Sequence, residues 1–448
     1  MGKKDVLVIR DYAVVKKGDN LFKVIYPSGG GAILDMDLDG LLLLKAIPGS
    51  QSLKDRLKRA RKMGVNGTDA QIKKAIRQIE KSGILTDREQ IVYPFNFDKV
   101  LKNARKFPKN SILSMSELEI SVTNECPYRC VYCYRAIPVK EKVISISLMK
   151  QAIKDGALFG CRSLIFTGGE PSLGKAFKDV EKLAKYAKSI GYGDISVNTS
   201  GIGLDSRKMV RWKKAGVDSL TIKLDSYNDK TVSKLTGYED AFKKAASAIS
   251  VGSKIFDEVV VNITLTEQNF QDIEKTVKLS LSLGAKSVKV TPTVPFGRGT
   301  GSEISLKNMK KTAILCQKMM KKLGGRKVLC PIKVRNRAYS SPLICLAGIT
   351  RVFVKEDGNV YPCTYLSDKW KLGNISKERL KAIWSKSAIL DDYFRKKTPI
   401  NKKCGNCNIR EYCIDTCKAM AEAYFKDLNM EKEPKECLYE PQRNQRAR

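Results

Sequence analysis

The 448-residue chain contains no histidine. That absence removes the commonest metal ligand and the usual near-neutral general base, and with them every Ser-His and Cys-His nucleophile system. Any metal has to sit mainly on sulfur, and 13 cysteines are there to carry it. Long apolar runs are also missing. None approaches the ~18 residues that span a bilayer, so no membrane partner is expected. The N-terminal MGKKDVLVIR has no apolar h-region, which predicts a cytoplasmic protein with reduced thiols. Acidic residues are scarce, 47 against 83 basic ones, for a net charge of +36. The excess is spread along the chain without a basic tail, which fits solvated lysine faces or an acidic peptide partner ahead of RNA.

What is present is enough for a buried core, 42% apolar residues, and the length predicts about three domains. Residues 1–95 read as strands VLVIR, AVVKK and LFKVIY followed by three helices. In the last helix Thr68 is placed to cap, and Ile72, Ala75, Ile76 and Ile79 fall on one face. Three strands and three helices suggest a small winged-helix module. Residues 96–116, with prolines and scattered basic residues, read as a linker. From Glu117 short β-branched runs alternate with amphipathic helices, which predicts βαβ units with a parallel sheet to about residue 325. Six such strands suit an open or partial barrel with its ligands at the strands' carboxyl ends. Residues 326–448 are loop-rich and cysteine-dense, as expected where metal replaces a large core.

The first predicted barrel strand ends in Cys126-Pro-Tyr-Arg-Cys130-Val-Tyr-Cys133. Three thiolates this close suit three corners of an iron–sulfur cubane with one iron left open, or a zinc site completed by a distant fourth ligand. The segment resembles the C-x3-C-x-aromatic-C signature of the radical S-adenosylmethionine (SAM) superfamily, with Tyr132 in the aromatic position. The resemblance covers residues 117 to about 300 and implies a partial (β/α)6 barrel, a SAM-binding [4Fe–4S] cluster on Cys126, Cys130 and Cys133, and radical chemistry. Thr167-Gly168-Gly169-Glu170-Pro171 resembles the element that holds the SAM amino group, and Val197-Asn198-Thr199-Ser200-Gly201 resembles the one that meets the ribose. Where relatives read Ser-Leu-Asp after the fourth strand, this chain has Lys223-Leu224-Asp225. The lysine either pairs with the cofactor's carboxylate or points away, and Asp225 is a weak candidate for a catalytic base.

The C-terminal cysteines follow a second pattern: Cys345, Gly358, Cys363, then Cys404, Cys407, Cys413, Cys417 and Cys437. Without a family in view, CxxC with cysteine neighbours favours a zinc knuckle. The spacings resemble the seven-cysteine SPASM extension, which implies two auxiliary [4Fe–4S] clusters, one on Cys345, Cys363 and Cys417 and one on Cys404, Cys407, Cys413 and Cys437. The total is then three clusters plus SAM. Cys161 and Cys316 read as buried small hydrophobes, while Cys330 either fills the unassigned corner of the first auxiliary cluster or leaves it open. The N-terminal module resembles a PqqD-like peptide-recognition domain, which adds a leader peptide as a strand. Its basic segment KDRLKRARK suits an acidic leader or a solvated face.

The resemblance implies an oxidoreductase-like maturase of a ribosomally made precursor peptide. A 5′-deoxyadenosyl radical would abstract hydrogen, with a thioether crosslink as the leading product and flavodoxin or ferredoxin as the electron donor. Carbon–carbon crosslinking, sulfatase-type maturation and tetrapyrrole modification are the enzymatic alternatives. A redox-sensing winged-helix DNA regulator is the alternative of another class, although nucleic acid is not the expected partner.

Overall fold

The computed structural model describes residues 6–9, 13–26, 32–48, 52–82, 84–88, 96–109, 111–135, 143–323, 327–330, 347–348, 350–386 and 419. Its N-terminal region contains β1 (Val6–Ile9), β2 (Ala13–Lys16), β3 (Phe22–Tyr26), β4 (Ala32–Met36), α1 (Leu38–Ala46), α2 (Leu53–Lys62), α3 (Asp69–Lys81), β5 (Leu85–Arg88), α4 (Phe97–Lys106) and β6 (Ser111–Ile112). Strands β4, β3, β2 and β6 form one antiparallel sheet in that order, and β1 pairs with β5. Thr68 caps α3 in a capping box with Gln71, and Ile72, Ile76 and Ile79 are buried.

Residues 96–116 differ from the linker reading. Asn96 caps α4, whose Phe97, Val100 and Ala104 join one core with Val14, Leu41 and Ile76. β6 then pairs with β2, Ile112 opposite Val15. The apolar positions of 97–104 have helical spacing, and Pro94 and Pro108 flank the helix rather than interrupt it.

The alternating region contains β7 (Glu117–Ser121), α5 (Ile146–Leu158), β8 (Ser163–Thr167), α6 (Gly174–Ser189), β9 (Asp194–Thr199), α7 (Ser206–Ala215), β10 (Ser219–Lys223), α8 (Asp229–Thr236), α9 (Ala241–Gly252), β11 (Glu258–Leu265), α10 (Ile273–Ser282) and β12 (Ser287–Pro292). Neighbours from β7 to β12 pair in parallel and in sequence order, as successive βαβ crossovers require. Along each strand every second residue, such as Leu118, Ile120, Leu164, Val197, Ile222 and Val261, is fully buried beneath the helices. The intervening Glu119, Asn198, Thr221 and Lys223 lie on the opposite, partly accessible face. That polar second face is where a ligand can be met.

After α11 (Leu306–Leu323), the sheet continues past the expected boundary near residue 325. β13 (Val328–Leu329) extends it beside β12, and β14 (Arg351–Val354) extends it beside β7, both in parallel. β15 (Asn359–Tyr361) and β16 (Gly373–Asn374) follow antiparallel, and α12 (Leu380–Lys386) packs on α5 and β6. An open parallel sheet leaves two rows of unpaired backbone groups, and the C-terminal segments cover both. Buried Asp155 of α5 accepts from the Arg379 guanidinium and the Lys381 amide, which fixes α12 in place.

Candidate functional site

The loop after β7 carries Cys126, Cys130 and Cys133, all unbonded and partly accessible. It is held from three sides by backbone. The Arg129 and Val131 amides donate to Thr236 and Leu235 at the end of α8, 2.7 and 3.0 Å. The Arg298 amide and Nε donate to the carbonyls of Cys133 and Cys130, 3.0 and 2.9 Å. Ser302 Oγ donates to the Val131 carbonyl. The role of the segment Gly297–Ser302 is not foreseen by the sequence reading above, although its Gly-Arg-Gly-Thr-Gly run is the available signal for a close backbone approach.

The third side is the turn after β8. The Gly169 and Glu170 amides donate to the carbonyls of Thr123 and Glu125, both 2.7 Å. A Cβ on Gly169 would lie 2.1 Å from the Glu125 carbonyl oxygen, and one on Gly168, at φ +139, 2.4 Å from that of Thr123. Both glycines are therefore required for the turn to reach the cysteine loop.

Glu170 is 2% exposed. Its Oε1 accepts from the amide and hydroxyl of Ser172 and from the Thr199 hydroxyl, and its Oε2 from the amide and hydroxyl of Ser200. Five donors saturate a carboxylate. The side chain thus clasps the β8 turn to the end of β9 and positions the Gly168–Gly169 backbone beside Asn198. The resemblance assigns Glu170 to the cofactor's amino group, and in this structure both of its oxygens accept from Ser172, Thr199 or Ser200.

Tyr132, Lys223 and Asp225 meet behind Cys130. The Tyr132 hydroxyl donates to Asp225 Oδ2, the Lys223 ammonium lies 2.8 Å from the same oxygen, and the Thr264 amide donates to Oδ1. Asp225 is fully buried and fully engaged, an arrangement suited to an acceptor within a closed network and not to an uncommitted base.

The thiols fit a metal cluster in donor type, number and setting. Burial pushes the Cys126 thiol up to about 12 and raises that of Cys130. Both are neutral in the free chain, so cluster binding is coupled to proton release. Three sulfurs in one backbone-clamped loop leave a cubane's fourth iron for an outside ligand.

On the far side of the loop, the buried Arg135 guanidinium pairs with Glu356 in the turn between β14 and β15. Ser121 Oγ, at the end of β7, lies 2.8 Å from Arg135 Nη1 and donates to Glu356 Oε2 at 2.7 Å. Gly358, at φ +87, closes that turn, which explains its fixed place between Cys345 and Cys363. A cavity of about 280 Å³ opens here, lined by Tyr134, Arg135, Phe296, Phe353, Tyr361 and Tyr365 among others.

Cys363, Val294 and Trp370 pack against a small cluster of Leu366 and Ala419. The other six cysteines expected to hold auxiliary clusters, Cys345, Cys404, Cys407, Cys413, Cys417 and Cys437, lie outside the described residues. Cys161 and Cys316 are buried, and Cys330, just after β13, is partly accessible. Among the described residues no helix is long and apolar enough to cross a membrane.

Comparison with known proteins agrees with this geometry. Residues 120–280 match the Radical SAM superfamily model, and residues 345–408 match SPASM, an iron–sulfur cluster-binding domain. The chain is 28% identical to an AdoMet-dependent heme synthase of Methanosarcina barkeri, over 71% of this chain and 95% of that one. It is 23% identical to a PqqA peptide cyclase of Methylocella silvestris, over 71% and 86%. Streptococcus suis SuiB bound to its precursor peptide SuiA superposes with a TM-score of 0.62 at 15% identity, over 92% of this chain and 96% of that one. The clamped three-cysteine loop at the carboxyl end of a parallel sheet, the glycine turn beside it and the two matched domains make this chain a radical SAM enzyme, binding SAM and a [4Fe–4S] cluster and carrying a SPASM domain for auxiliary clusters.

Proposed function

We propose that this enzyme matures a ribosomally made precursor peptide and that the bond it installs is a thioether from a peptide cysteine to a neighbouring carbon. The observation that carries the peptide reading is the extent of the likeness to SuiB, bound to its precursor peptide. It takes in 92% of this chain, whereas the heme synthase match takes in 71%. The additional length matters because β4, β3, β2 and β6 form a separate small sheet with β4 at its edge, the kind of element that captures an extended peptide by strand addition. We assign that PqqD-like role to residues 1–95 together with α4 and β6.

Cys126, Cys130 and Cys133 hold the first cluster in this reading, and the Gly168–Gly169 backbone and Asn198 face the cofactor. SAM then supplies a 5′-deoxyadenosyl radical, and the protein supplies binding, orientation and exclusion of water. Cys345, Cys363 and Cys417 hold one auxiliary cluster, and Cys404, Cys407, Cys413 and Cys437 the other. In this reading the first auxiliary cluster keeps an open corner, where a substrate thiolate could bind without a protein base. Flavodoxin or ferredoxin is the proposed donor.

The test is co-expression with a cysteine-containing precursor. A loss of two hydrogens together with disappearance of the free thiol supports the thioether. The same mass loss with the thiol intact moves the assignment to carbon–carbon crosslinking. The second reading, tetrapyrrole modification, rests on the 28% identity to the heme synthase. It is favoured if a porphyrin substrate is consumed and no peptide is altered.

A further inference from the structure

Tyr128 stands inside the cysteine loop, two residues after Cys126 and two before Cys130, and is 3% exposed. Two neighbours fix its ring. The ring of Tyr238, just beyond α8, lies 5.0 Å away between centres, and the Lys223 ammonium at the end of β10 lies 5.7 Å from its centre. The adjoining backbone is clamped as well, since the Arg129 amide donates to the Thr236 carbonyl at 2.7 Å. Lys223 belongs to the polar, partly accessible face of the sheet, so the ring reaches the side on which a ligand can be met.

The Tyr128 hydroxyl is buried and has no hydrogen-bond partner among the described residues. Buried polar atoms are nearly always paired, and each exception calls for a cause. The polar side chains at this end of the sheet are committed elsewhere. The Lys223 ammonium lies 2.8 Å from Asp225 Oδ2, the Tyr132 hydroxyl donates to the same carboxylate, and the amide and hydroxyl of Ser200 donate to Glu170. The free chain therefore carries a desolvated donor in the loop that holds the cluster cysteines. An unmade buried hydrogen bond costs the desolvation of the group, and a ligand that accepts it recovers that cost on binding.

We propose that the Tyr128 hydroxyl donates to an acceptor oxygen of SAM, either of its methionyl carboxylate or of its ribose. This rests on SAM meeting the cluster held by Cys126, Cys130 and Cys133. The donor is preorganised: its ring is already packed and its oxygen already dry, so little side-chain freedom is lost when the cofactor binds. Tyr128 thus adds a side-chain contact to the Gly168–Gly169 backbone and Asn198. Phenylalanine at this position would fill the same space and leave the cofactor oxygen without its donor.

The test is SAM binding to the reconstituted, unreduced full-length enzyme by equilibrium dialysis, with iron content and melting temperature measured on the same samples. Without a supplied electron the cofactor is not cleaved, so binding is read apart from turnover. Tyr128→Phe should keep the wild-type iron content, melt no lower than wild type in the absence of SAM, and bind SAM about tenfold more weakly, equivalent to about 1.4 kcal/mol. The rise in melting temperature on adding SAM should shrink accordingly. Decarboxylated SAM separates the two acceptors: a loss confined to SAM supports the carboxylate, and an equal loss with both supports the ribose. Unchanged SAM affinity in Tyr128→Phe overturns the proposal. A lower melting temperature without SAM overturns it too, because the hydroxyl would then be satisfied within the free protein. The placement of SAM at this cluster fails separately if adding SAM leaves the wild-type electron paramagnetic resonance spectrum unchanged.

Discussion

Removing Arg135 tests whether the cysteine loop is locked to the C-terminal hairpin by a buried charge pair. The side chains of Arg135 and Glu356 are 7% and 2% exposed, and Ser121 contacts both. An exposed pair would be worth at most about 1 kcal/mol, whereas breaking one in this setting leaves a buried, uncompensated carboxylate and costs about 3–5 kcal/mol. Against a total stability of about 5–15 kcal/mol, that is a large fraction. Arg135→Ala should therefore lower the free energy of unfolding by about 3–5 kcal/mol in anaerobic denaturant titrations. Arg135 lies two residues after Cys133, so iron content should fall as well. The double variant Arg135→Met, Glu356→Leu replaces the pair by apolar groups and should cost only about 1 kcal/mol, mainly the lost partners of Ser121. A cost below about 1 kcal/mol for Arg135→Ala, or a double variant as damaging as the sum of the singles, would refute the reasoning.

Gly169→Ala places a methyl 2.1 Å from the Glu125 carbonyl and should abolish loading of the first cluster, read as loss of the SAM-sensitive spectrum, while the far-ultraviolet circular dichroism is retained. Changing Cys126, Cys130 and Cys133 together to Ala should remove about four irons per chain and all 5′-deoxyadenosine formation. Glu119, on the polar face of β7, is pushed up to about 7 by burial and then by Glu117. The folded state therefore binds its proton more tightly than the unfolded state, and the resulting stability is lost as pH rises from about 4.5 through 7. Glu119→Gln should flatten melting temperature against pH over that window and melt higher than wild type at pH 8. Deleting residues 1–112 should spare SAM cleavage without peptide while weakening peptide turnover; equal turnover by the truncated enzyme would remove the recognition role.

The chemistry was legible in the sequence because it is local. A cysteine loop of fixed spacing, a paired-glycine turn and the Cys345-Gly358-Cys363 spacing are short-range demands of metal geometry and backbone approach, visible without coordinates. The βαβ alternation was legible for a similar reason: the period of apolar residues reports which face each strand and helix must bury. Residues 96–116 are less legible because their apolar helical face is only ten residues long and turn-forming prolines flank it.

What only the tertiary structure decided are the long-range partners. The sequence places Glu170 beside a glycine turn, but its saturation by Ser172, Thr199 and Ser200 depends on β8 and β9 ending side by side. Lys223 could have pointed away from the site, and its pairing with Asp225 beside the Tyr132 ring follows from the position of β10 relative to the cysteine loop. The pairing of β14 with β7 and the joining of Arg135 to Glu356 link residues more than 200 positions apart. Local propensity carries no information about such contacts. They are chosen when the open edges of a parallel sheet and the charges beside them have to be satisfied together.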